Sequence, residues 1–185
     1  MANLLLDSML PADLADRSQV IEYKGVIVEF DRLREISENS LAVVEHNRRE
    51  VDWEKLPVEV KLEFGWLDTD RTIPTVIGGI RAGMAALCQR CLEPFELMVD
   101  VPVKVLFGKV YGTAPDNDYD TWESGDTLIR LLDVVEEVVV MALPLAPVHN
   151  SIDDCGALAG KIRERERDTA RPFAGLRAQL DEMDK

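Results

Sequence analysis

Basic residues, cysteines, histidines and aromatics are all scarce in this chain. Lysine and arginine together number 21 against 35 Asp and Glu, which leaves a formal net charge of −14. Such a field opposes direct binding to a polyanion and suits a basic protein partner better than naked RNA, or it simply keeps the chain soluble. There are two histidines and three cysteines, and aromatics make up 6% of residues. An odd cysteine count argues against a disulfide framework. The opening stretch, Met1 to Leu6, is apolar but brief, lacks a basic region, and is broken by Asp7. It does not read as a secretory signal, so a cytoplasmic chain is expected. No run approaches the ~18 apolar residues of a membrane span. Phosphate loops, dinucleotide fingerprints and hydrolase triad motifs are also missing.

What the chain does have is enough apolar residues, 46% of 185, to build a core. The charge is uneven: residues 1–160 carry 14 Lys/Arg against 29 Asp/Glu, while residues 161–185 carry 7 against 6. We therefore expect one domain over residues 1–158, then a charged linker and short amphipathic helix over 159–185. Val58, Val60, Leu62, Phe64 and Trp66 alternate with Glu59, Lys61, Glu63 and Gly65, the pattern of a half-buried strand. A second extended segment runs from Ile73 to Leu87, where Gly78, Gly79 and Gly83 suggest a bulge or a close backbone approach. A third places Phe95, Leu97, Val99, Val101, Val103, Val105 and Phe107 on one face, and Pro102 marks it as an edge strand or a bulged one. Val20 to Phe30 looks extended with a phase shift at Gly25, and Asp31 to Glu38 reads as a short helix. Leu128, Leu131, Leu132, Val135, Val139 and Ala142 recur at helical spacing, predicting a helix near 127–142 capped at Asp126 or Thr127. Residues 109–126 read as an acidic loop. In the tail, Phe173, Leu176 and Leu180 follow Pro172 at i, i+3, i+7 and would form the stripe of a helix that docks on the body or on a partner. The expected class is α+β: an antiparallel hairpin or meander over residues ~58–107 with packed helices.

Cys88-Gln89-Arg90-Cys91 falls between the second and third strands, at a hairpin tip. Two thiols at this spacing can grip a soft metal ion, and zinc wants four ligands of thiolate and imidazole type. Cys155 and His149 are the companions at hand, so a Cys3His site is available if residues 149–155 fold back onto the tip. Two reduced cysteines stabilising a turn without metal, and a dithiol oxidoreductase, stay open beside it. Redox pairs of this kind usually open a helix, which lowers the thiolate pKa; this pair lies between strands. His149 could also be a buried hydrogen-bonder; with no nucleophile adjacent, a general base is the weakest of its three readings. Glu136 and Glu137 are sequence neighbours on the predicted helix and do not converge, so they read as a solvated face. For RNA or partner contact the candidates are Arg90 at the tip and the tail arginines Arg163, Arg165, Arg167 and Arg171.

Two stretches together are distinctive: Cys88-Gln-Arg-Cys91-Leu-Glu-Pro94-Phe95, and Leu131-Leu132 through Val135-Glu136-Glu137 to Ala142-Leu-Pro-Leu-Ala-Pro-Val-His149. In this order the chain resembles the YceD family of large ribosomal RNA subunit accumulation proteins. Arg171-Pro172-Phe173-Ala174 resembles the family's Asn-Pro-Phe-Ala ending. The helix motif departs from the family's Val-Glu-Asp-Glu, and Arg130 stands where an Asp commonly precedes the Leu pair. The resemblance implies a non-enzymatic cytoplasmic factor supporting synthesis, processing or stability of large-subunit (23S) rRNA. Its expected partner is a pre-large-subunit particle or a basic ribosomal protein, with direct RNA contact left open. The expected contact residues are Arg90, Glu136, Glu137, Phe173 and Leu176.

Overall fold

A computed structural model describes residues 5–42, 51–108, 119–123 and 127–161. Its centre is a meander of four antiparallel strands: β2 (Val20–Val26), β3 (Pro57–Trp66), β4 (Pro74–Leu87) and β5 (Pro94–Phe107), in that spatial order. A fifth strand, β6 (Asp120–Trp122), pairs with the end of β5 through Val105↔Asp120 and Phe107↔Trp122. It runs parallel to β5, so the sheet is mixed rather than purely antiparallel, and part of the expected acidic loop is a strand. Residues 109–118 and 124–126 of that loop lie outside the described residues, as does the expected tail helix with Phe173 and Leu176.

The period-2 pattern sets the sheet's two faces. Val58, Val60, Leu62 and Phe64 are buried, while Glu59, Lys61 and Glu63 face solvent. On the buried face lie three helices: α1 (Pro11–Asp16), α2 (Asp31–Leu41) and α3 (Leu131–Ala142). Leu14, Leu33, Leu131 and Val135 join the strand residues in one core cluster. Leaving a single such side chain exposed would forfeit about 1.5–3 kcal/mol, so the helix stripes and strand alternation act together. Among the described residues, β5 has no neighbour beyond β4 at Pro102, because β6 begins to pair only at Val105. The edge reading is therefore right. The close-approach reading of Gly78 is right as well: a Cβ there would meet the Lys61 carbonyl oxygen at 2.0 Å.

Two expectations are corrected. The helix begins at Leu131 rather than near Thr127. Ile129–Arg130 form a short strand, β7, pairing with Ser8–Met9, β1, in a separate antiparallel ribbon. Leu128 consequently falls outside the helical stripe and is exposed. The second correction concerns Glu136, which is 3% exposed rather than on a solvated face.

The buried Glu136 carboxylate has a structural task. The residue preceding α2, Phe30, has no side-chain oxygen with which to cap the helix. Glu136 supplies the missing acceptor from α3: its Oε1 accepts the Arg32 backbone N–H at 2.8 Å. A carboxylate also complements the positive end of the α2 dipole. Beside it, Arg32 donates to Glu137 Oε2 at 2.7 Å on the partly exposed rim. Burial pushes the Glu136 carboxyl up from its ordinary value, against the downward pull of the Arg32 N–H and guanidinium. A carboxyl raised on folding contributes stability below the unfolded value of ~4.5, and that contribution is lost as pH rises through the folded value. Glu136→Gln should keep an acceptor for Arg32 and flatten that part of the stability–pH curve. Glu136→Ala should cost about 1–2 kcal/mol, as for a lost helix cap. Denaturant titrations of both variants between pH 4 and 8 provide the check.

Candidate functional site: a buried Cys3His cluster

The hairpin joining β4 to β5 is closed by two backbone bonds, Cys88 N–H to Glu93 O at 3.0 Å and Leu92 N–H to Cys88 O at 2.8 Å. The chain turns through Leu92, whose φ of +59° is a left-handed conformation that favours glycine. The turn keeps the Cys88 and Cys91 sulfurs within 4.8 Å of each other. Leu92 is 65% exposed, so its side chain contributes little burial. Leu92→Gly should therefore stabilise the protein by about 1 kcal/mol through relief of backbone strain, read from the denaturation midpoint.

The other two donors arrive from beyond α3. Pro144 and Pro147 prevent the helix from continuing and keep the exit extended. Gln89 N–H donates to Pro147 O at 2.9 Å, and Arg90 Nη2 donates to His149 O at 2.8 Å, so the exit is stitched to the hairpin tip. Arg90 thus holds the backbone of His149 in place. The Phe95 ring lies 4.6 Å from the His149 ring and fixes its tilt. A 3-10 turn over Asp153–Leu158 then presents Cys155. Ser151 opens that turn, its Oγ accepting the Asp153 N–H at 3.2 Å. Gly156, at φ +54°, lets the turn lie against Glu93; a Cβ would sit 3.0 Å from the Glu93 carboxylate.

These segments bring together all four residues expected from the sequence. The ligand atoms of Cys88, Cys91, His149 and Cys155 lie within 4.8 Å of one another. Cys91 Sγ is 3.5 Å and Cys155 Sγ 3.7 Å from His149 Nδ1. A tetrahedral zinc with bonds of ~2.3 Å to sulfur and ~2.0 Å to nitrogen would separate S and N by about 3.5 Å. The arrangement is compatible with a metal site, and Nδ1 is the imidazole atom it would use. All three cysteines are buried and none is in a disulfide.

Charge distribution in the cluster is asymmetric. Burial pushes the Cys88 thiol up, but the backbone N–H groups of Cys91, His149 and Arg90 outweigh it and bring it down to about 6. Burial and the adjacent Cys88 sulfur push Cys91 up to about 12. Cys155 is also raised, first by burial. Cys88 is thus the thiol that gives up its proton most readily, while burial favours the neutral form of Cys91 and Cys155, which a bound cation would offset. The depressed Cys88 value alone would also suit a redox thiol. However, Cys88 is 0% and Cys91 7% exposed, and a substrate disulfide needs access to an attacking sulfur.

Sequence reasoning missed the capping role of Glu136 and the contribution of Ser37, whose Oγ accepts the Ala85 N–H at 3.4 Å. Beyond Ala82, β3 no longer covers that edge of β4, and α2 takes its place. The polar residue at a buried helix position was the available signal.

The fold and the cluster define a class: a small α+β domain whose hairpin tip is closed by three thiols and an imidazole. A sequence model of the family described as large ribosomal RNA subunit accumulation protein YceD matches residues 77–179. That is more than half of the chain, and the chain belongs to this family. The match takes in β4 from Ile77 onward, β5, α3 and the whole cluster. The family is named for accumulation of an rRNA and not for a reaction. Searches of curated proteins and of solved structures find no match. No helix among the described residues is long and apolar enough to cross a membrane.

Proposed function

We propose that this chain is a non-enzymatic cytoplasmic factor that promotes accumulation of large-subunit (23S) rRNA by binding a basic ribosomal protein or a pre-large-subunit particle. Family membership over residues 77–179 carries this reading. Zinc, held by Cys88, Cys91, His149 and Cys155, is the ion we assign to the cluster. Four protein donors complete a tetrahedron and leave no open position for substrate, so the metal would be structural. It would fasten the hairpin tip to the segment leaving α3. The surplus of 15 negative charges over residues 1–160 would attract and shield a basic partner, which favours a protein contact over naked RNA. The exposed acids of the body are available for this, and Glu137 only by giving up its ion pair with Arg32. Glu136 is not, because its carboxylate is engaged inside the fold.

The test is sedimentation of cell extract with and without RNase, followed by pull-down of the chain. Co-migration with pre-large-subunit particles, with a ribosomal protein still recovered after RNase, is the expected result. Absence from those particles with no ribosomal protein recovered would overturn the reading. A chain that retains zinc but recovers a non-ribosomal partner would instead be a zinc-stabilised interaction module.

A further inference from the structure

A groove of about 370 Å³ opens between α2 and the segment leaving α3, on the helix-bearing side of the sheet. Ile36 and Asn39 form one wall, Leu143 and Pro147 the other, and Ala86 and Leu97 part of the floor. No charged side chain lines it, although 30% of the chain is charged and the other two sizeable grooves are lined with Asp, Glu, Arg or Lys. Apolar surface left this way in a body of such high charge calls for a cover.

We propose that this groove is the seat of the chain's own residues 172–180. Three observations select this occupant. First, the described chain reaches Lys161, six residues past Cys155. Cys155 packs against Cys88, and the neighbours of Cys88, Leu87 and Gln89, belong to the groove. The chain therefore leaves the body close to the groove's end. The eleven residues from Lys161 to Pro172 span about 16 Å as helix and up to roughly 36 Å extended, so reach is ample. Second, Phe173, Leu176 and Leu180 recur in the sequence at i, i+3, i+7, the spacing that would give a helix an apolar stripe to match an apolar slot. Third, the charges complement. Residues 169–180 contain Arg171 and Arg177 and no acid, an isolated basic stretch in a chain of net charge −14. Glu35 and Glu38 are exposed on α2, next in sequence to the groove residues Ile36 and Asn39, and would attract such arginines. A covalent tether gives the segment an effective concentration on the order of millimolar, so a weak intrinsic affinity suffices. The proposal does not rest on the ribosomal role.

The full-length chain carrying benzoylphenylalanine in place of Asn39 tests it, irradiated as an equal mixture of 15N-labelled and unlabelled protein. The expected crosslinks join position 39 to residues 172–180 within one isotopic species, and vanish when Phe173→Ala and Leu176→Ala are added. Amide exchange over 173–180, measured without the crosslinker, should speed up about tenfold in that double variant. Arg171→Glu with Arg177→Glu should weaken the crosslink without abolishing it. Crosslinks of mixed isotope would assign the groove to a second copy and overturn the proposal. Absence of crosslinks to the tail, or exchange rates equal in the two proteins, would overturn it as well. Purified protein without ribosomal components is used, so the result stands whether or not the chain proves to serve rRNA.

Discussion

Purified under reducing, chelator-free conditions, the protein should contain about one equivalent of zinc, and Cys155→Ser should reduce that to near zero. The expected structural effect is large because the cluster is the main link between the hairpin tip and the 3-10 turn. The three cysteines form a small apolar cluster of their own, against which, among the described residues, Phe95 and Val148 pack. A ligand that binds only the folded chain stabilises it by about 4 kcal/mol when free metal exceeds its dissociation constant a thousandfold. Chelation of the wild type and Cys155→Ser should each lower the unfolding midpoint by an amount of that order, and the two effects should not add. Elemental analysis with thermal denaturation checks both statements. A zinc content near zero in the wild type would sink the metal assignment and leave a cluster of reduced thiols.

Gly78→Ala is the second large expected effect. The added methyl group would fall 2.0 Å from the Lys61 carbonyl oxygen and 2.9 Å from its carbon, both backbone atoms of β3. Neither can rotate away as a side chain would, so β3 and β4 must separate locally along a ladder paired from Trp66↔Pro74 to Val58↔Ala82. Overpacking of this kind costs about 3 kcal/mol. Gly79→Ala is the internal control. Its Cβ would approach no atom closer than 3.8 Å, so it should be neutral or slightly stabilising, because alanine restricts the unfolded chain. Urea titration of the pair should therefore show a difference of about 3 kcal/mol between adjacent glycines.

The strands and the cysteine cluster were the legible parts, and for related reasons. Alternation in Val58–Trp66 and Phe95–Phe107 depends on neighbours two residues apart, and the hairpin tip follows from where those strands end. His149 and Cys155 were nameable because so few other donors exist in the chain, although their approach depends on Pro144, Pro147 and the Gly156 turn. The features that escaped depend on distant partners. Glu136 looks like a surface acid until α2, 104 residues earlier in sequence, is seen to lack its own cap. Residues 127–130 looked like the first turn of a helix because Leu128 fits the helical period. Pairing of Ile129 with Met9 decided against it, and no local pattern records that pairing. The parallel docking of β6 on β5 joins residues 15 positions apart, and no local pattern records it either.

The β1–β7 ribbon also sets the timetable of folding. Met9 pairs with Ile129, and Leu5 O accepts the Leu132 N–H at 2.9 Å. The first described residues therefore wait for a partner some 120 positions further along the chain. At a synthesis rate of roughly 5–20 residues per second, that delay is about 6–24 s. During it, Leu5 and the core beneath α3 have no covering, so the half-made chain is most exposed to aggregation and to chaperones just before α3 emerges.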